Sequence, residues 1–221
     1  MVYAKNKDWK AKYSLDEIAD GLRSGNSYFV HGDLINHLEF EAQDGWKQAT
    51  MGEELKSHGK IKNLKLTIKF KGPMTNNCGS SDASLECTRP MVDHIDLIAG
   101  EISGKVSPTL PNGDPNPEYT KNTNETTKVI ASFTDYDWKV GRDGTHTIVY
   151  HIKDVKKDMY FRLRGTNLAC GTPNETGPAT GLGTANYCNP LPDALTAPNT
   201  AQKAWDDLWF YSNPIFVYVN K

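Results

Sequence analysis

The sequence has no apolar run that approaches the roughly 20 residues a membrane-crossing helix requires, so no membrane span is expected. It has no marked excess of one charge. A formal net charge of -2 over 221 residues gives no global field to recruit nucleic acid or an anionic membrane. It has no Gly-x-Ser-x-Gly elbow for a nucleophilic serine and no glycine-rich phosphate loop. Among its six histidines no two stand as His-x-His, a common opening of a hydrolytic metal cluster. The start, Met1 to Lys10, has neither an apolar stretch nor a small-residue cleavage site, so no signal peptide is read in this chain.

Cysteine is scarce, and its placement is informative. The four, Cys78, Cys87, Cys170 and Cys188, form two local pairs in stretches rich in Asn, Gly, Ser, Thr and Pro. Neither pair has the two- to four-residue spacing of a zinc site. Local disulfides Cys78–Cys87 and Cys170–Cys188 are the expected state, with four free thiols as the alternative. The disulfide reading places the protein outside the cytoplasm, in the periplasm or secreted. The triplets Asn124-Glu-Thr126 and Asn174-Glu-Thr176 have the form of glycosylation sites but arise often by chance.

What the chain does have is a short helix signal followed by a long run of strand signals. Hydrophobic residues make up 38% and charged residues 24%, a globular balance. Ser14-Leu-Asp-Glu17 has the form of a capping box, Leu15, Ile18 and Leu22 follow helical spacing, and Gly25 stands where the helix should stop. After it the period changes to two. In Ile61–Lys71, Leu64, Leu66, Ile68 and Phe70 alternate with Lys65, Thr67, Lys69 and Lys71, giving one buried and one wet face. Further strands are expected at 27–31, 36–42, 92–99, 127–136, 145–152, 159–165 and 215–220, with Phe161 and Leu163 opposing the apolar face of 61–71. No alternation of strands with helices points to a parallel sheet.

The expected fold is therefore mainly β. It is an antiparallel β-sandwich of the immunoglobulin-like or jelly-roll-like kind, with one short N-terminal helix and two long loops. Residues 1–26 form a helical lead-in and residues 27–221 a single sandwich domain. The long loops, 107–126 and 166–200, are of a length that usually carries function or stays unstructured. Residues 201–208 are expected to form a short helix.

Candidate metal ligands are weak. His31, Asp33 and His37 lie close in sequence, but Gly32-Asp33 reads as a turn that places the histidines on opposite sides of it. Asp93, His94 and Asp96 fall on a strand where alternation separates Asp93 from the other two, and a solvated face is the expected setting. Asp135, Asp137 and Asp143 form a loose set of the kind calcium uses, with spacing that fits no standard calcium loop. No cofactor is expected in this chain beyond that possible calcium. Aromatics gather at 205–218, where packing or an interface is expected and exposed rings would suit sugar stacking.

The unit from Asp16 to Asn26, with Leu-Arg-Ser-Gly at its end, runs into Tyr28-Phe-Val-His-Gly-Asp-Leu-Ile35. Near the far end stand Met159-Tyr-Phe-Arg-Leu-Arg-Gly165 and Trp209 to Val217 with Asn213-Pro-Ile215. In order and spacing these resemble the part that follows the catalytic barrel in secreted metallohydrolases of the polymerase-and-histidinol-phosphatase (PHP) type. The resemblance implies an accessory domain without catalytic residues of its own. It would pack on a PHP-type catalytic domain in cis or in trans and shape access to its metals. A homodimer would cover the same surface. That surface is expected to include Leu15, Ile18, Leu22, Asp33, Leu34, Trp209 and Tyr211. An extracellular carbohydrate- or ligand-binding module is the alternative, and a divergent metal-dependent hydrolase a third.

Overall fold

The computed structural model describes residues 14–75, 89–121, 124–169 and 208–219. All four cysteines, Asn174, the expected helix up to Asp207, Trp205 and most of the second long loop lie outside these residues. The disulfide expectation is therefore carried by sequence alone.

Helix α1 (Leu15–Ser24) forms where its caps predict. Ser14 Oγ accepts from the Glu17 amide at 3.1 Å, and Glu17 Oε2 accepts from the Ser14 amide at 2.8 Å. Together these satisfy two donors that a helix start leaves open. Gly25 closes the helix with φ 70°, in the left-handed region that suits glycine.

Two sheets follow. The five-stranded sheet contains β2 (His37–Asp44), β3 (Lys47–Thr50), β5 (Ile61–Lys71), β8 (Lys139–Val140) and β9 (His146–Val155), in the order β3-β2-β5-β9-β8. The seven-stranded sheet contains β1 (Tyr28–His31), β4 (Glu54–Lys56), β6 (His94–Glu101), β7 (Lys128–Phe133), β10 (Met159–Thr166), β11 (Trp209–Ser212) and β12 (Ile215–Tyr218). Along one side of β10 runs β6, itself flanked by β7; along the other run β11 and β12, end to end. Beyond these lie β1 beside β11 and β4 beside β12. The β4–β12 pair is parallel, so the sandwich is not wholly antiparallel as expected.

The core is the space between the sheets. Leu64, Leu66, Ile68 and Phe70 are all buried, and Phe161 and Leu163 from the facing sheet join the same cluster. Burying such a side chain contributes about 1.5–3 kcal/mol each. Gly165 is required for one close approach. A Cβ there would come within 2.1 Å of the Phe210 ring, which packs flat across the pair Gly165–Phe210.

The outer face of the seven-stranded sheet departs from expectation. His94 and Asp96, expected on a solvated face, are buried. The cross-strand register places Asp96 opposite both Arg164 and Ser132. Arg164 Nη2 donates to Asp96 Oδ2 at 2.5 Å, and Ser132 Oγ donates to Asp96 Oδ1 at 2.5 Å. The Arg164 guanidinium also lies 5.9 Å from the centre of the Trp209 ring. A charged pair on a strand is buried here because its partners come from neighbouring strands, which alternation along a single strand cannot reveal.

Candidate functional site

Five strand ends and one link meet at one end of the sandwich: β5 brings Phe70 there just before its last residue, and β9 starts there at His146. Residues 89–93 arrive just ahead of β6, Thr134 follows β7, Asn167 follows β10, and Leu34 comes from the link between β1 and β2. Between them lies a pocket of about 460 Å³, within the range of small-ligand sites. Its floor is apolar and aromatic, from Leu34, Phe70, Trp138 and His146. Its polar groups are Arg89, Asp93, Asp135 and Asn167, with Tyr136 at the rim.

The floor is held by ring packing. His146 stacks on Phe70 with centroids 4.7 Å apart and planes 12° apart, and Trp138 meets both rings nearly at right angles. Such offset and edge-on contacts fix ring positions as well as burying area. Burial pushes the His146 imidazole below its ordinary titration range, and the Arg89 charge adds to that effect. The ring is thus neutral at neutral pH.

The rim is presented by a tight turn. The Asp137 carboxylate accepts from the Thr134 amide at 2.8 Å, while the Asp137 amide donates to the Thr134 carbonyl at 2.9 Å. The turn holds Asp135 and Tyr136 at its tip. Tyr136 is 93% exposed, although its ring is a large surface that the fold leaves unused. On the opposite side Asp93 is fixed by His94, whose Nδ1 lies 2.7 Å from Asp93 Oδ1. A carboxylate only accepts, so Nδ1 carries the proton in this contact. His94 Nε2 is buried and has no hydrogen-bond partner.

The expected metal ligands are not brought together. His31 ends a strand of one sheet and His37 starts a strand of the other, where it bonds Glu39 at 3.1 Å. Asp33 has φ 58° and serves the turn. Asp143 caps the turn between β8 and β9 by accepting from Thr145 Oγ1 at 2.6 Å, and Asp137 caps its own turn. Of that acidic set only Asp135 lines the pocket. Among the described residues no three His, Cys, Asp or Glu side chains are grouped to hold a metal ion.

The expected interface residues divide. Leu15, Ile18 and Leu22 are 85%, 43% and 61% exposed, and Asp33 is exposed beside them in sequence. Leu34 and Trp209 are instead buried, which removes both from an accessible surface, and Tyr211 is half-buried and stacked on Trp209. The pocket residues Arg89, Trp138, His146 and Asn167 have no sequence signal that joins them. Among the described residues no helix is long and apolar enough to cross a membrane. Comparison with protein families, with curated proteins and with solved structures finds no match to this chain.

Proposed function

We propose that this chain is a non-catalytic, extracytoplasmic binding module that captures a small ligand in the pocket at the end of its sandwich. The observation that carries the reading is the pairing of an aromatic floor with a rigid polar rim, on which Tyr136 is exposed and Asp135 accessible. Concave sites with an apolar lining and a few placed polar groups are the usual form of small-ligand sites. A ligand that binds only the folded state raises its melting temperature. A thermal-shift panel of small molecules should therefore stabilise the native chain and stabilise the Tyr136→Ala/Asp135→Asn variant less. A broad panel in which no compound stabilises the native chain would sink the proposal.

A second reading has one observation in its favour. The apolar stripe of α1 is exposed, as an accessory domain of a PHP-type hydrolase would require of its docking face. In that reading the isolated chain hydrolyses no phosphoester with any added divalent metal. Metal-dependent turnover lost on changing His31, Asp33 or His37 to Ala would promote the divergent-hydrolase alternative instead.

A further inference from the structure

We infer that the ligand of this pocket is a pyranose sugar, stacked on Tyr136 and held through its hydroxyls by Asp93, Asp135 and Arg89; this rests on the binding-module reading above. The chemistry of the rim excludes the other classes in turn. A purely apolar ligand would cover the Asp135 carboxylate and the Arg89 guanidinium with nothing to replace their water. A phosphate or other compact anion would meet Asp93 and Asp135 together, with Arg89 the one cation among the described lining residues and His146 neutral. A quaternary ammonium needs several ring faces around one point. Here Phe70 and His146 each spend a face on the other and Trp138 is packed nearly at right angles to both, which leaves Tyr136 as the most exposed ring of the described lining.

A sugar ring fits what remains. Its flat C–H face covers one aromatic ring, and its adjacent hydroxyls both donate and accept. Carboxylates accept hydroxyl donors, while Arg89 can donate to hydroxyl oxygens. The platform is also preorganised. The Thr134–Asp137 turn fixes the tip that carries Asp135 and Tyr136, and His94 fixes Asp93, so little ordering remains to be done on binding.

The test uses the intact chain in a glycan array, followed by calorimetry and by the ¹H–¹⁵N spectrum with glucose, galactose, mannose, N-acetylglucosamine and their disaccharides. The expected result is binding of at least one glycan that shifts the Trp138 indole signal. Tyr136→Ala and Asp135→Asn should each weaken it about tenfold, while Lys69→Ala, on the far face of β5, leaves it unchanged. Both rim residues are exposed, so neither variant threatens the fold. Glycan binding that survives both substitutions overturns the inference. So does a Trp138 indole that responds to quaternary ammonium or anionic compounds but to no sugar, an outcome that leaves the binding-module reading standing. An indole that responds to no sugar and to no member of a general fragment library overturns both.

Discussion

Two cases show how much of this molecule is decided by a neighbour and not by the residue type. His146 has the lower titration range of a buried imidazole, so the folded state resists its protonation. The unfolded chain, with a pKa of about 6.5, takes up a proton first as the pH falls. The contribution of His146 is therefore complete above about pH 6.5 and is lost as the pH drops through the folded-state value. The melting temperature should fall between pH 7 and pH 5, and His146→Phe, which keeps the ring stacked on Phe70, should flatten that slope. An unchanged slope in the variant would remove His146 from the account. Arg164 and Asp96 make the second case. Their pair is buried, so removing one side chain takes from the other charge its partner across the strands, and Arg164→Ala or Asp96→Ala should each cost about 3–5 kcal/mol. Replacing both together with apolar residues of similar size should cost far less, and equal losses by chemical denaturation would contradict the pairing.

At the scale of elements, period-two patterning was legible wherever one face of a strand is buried and the other wet. β5 occupies Ile61–Lys71 as its alternation predicts. Phe70→Ala should accordingly cost about 3–5 kcal/mol by cavity formation, whereas Lys69→Ala should cost under about 1 kcal/mol, its pair with Glu39 being solvent-exposed. Similar losses in urea titrations would mean that the register is wrong. The strands that escaped notice are β3, β4 and β8, each too short to show a period, and β11, whose Trp209, Phe210 and Tyr211 are apolar on both faces. The outer face of β6 was misread for a related reason. His94 and Asp96 look solvated by type, and only the register with β10 and β7 shows what pairs with them.

At the scale of the whole molecule, the fold class follows from the rhythm of strands, but the pocket does not. Its lining is drawn from positions between 34 and 167, and no motif spans them. Asp135 was noticed for calcium-like spacing. It belongs to the site for a different reason, because the turn that Asp137 caps carries it to the rim. The exposed stripe of α1 was legible from helical spacing alone, since Leu15, Ile18 and Leu22 fall on one face whatever that face meets.

The central claim is that this end of the sandwich is where the protein meets its ligand, and chemical-shift mapping on the intact, isotopically labelled chain tests it most directly. Titration with the best-stabilising compound should move the signals of Asp93, Asp135, Tyr136, Trp138 and His146, and leave those of α1 and of β4 in place. Shifts centred on Leu15, Ile18 and Leu22, with the pocket signals unmoved, would contradict it.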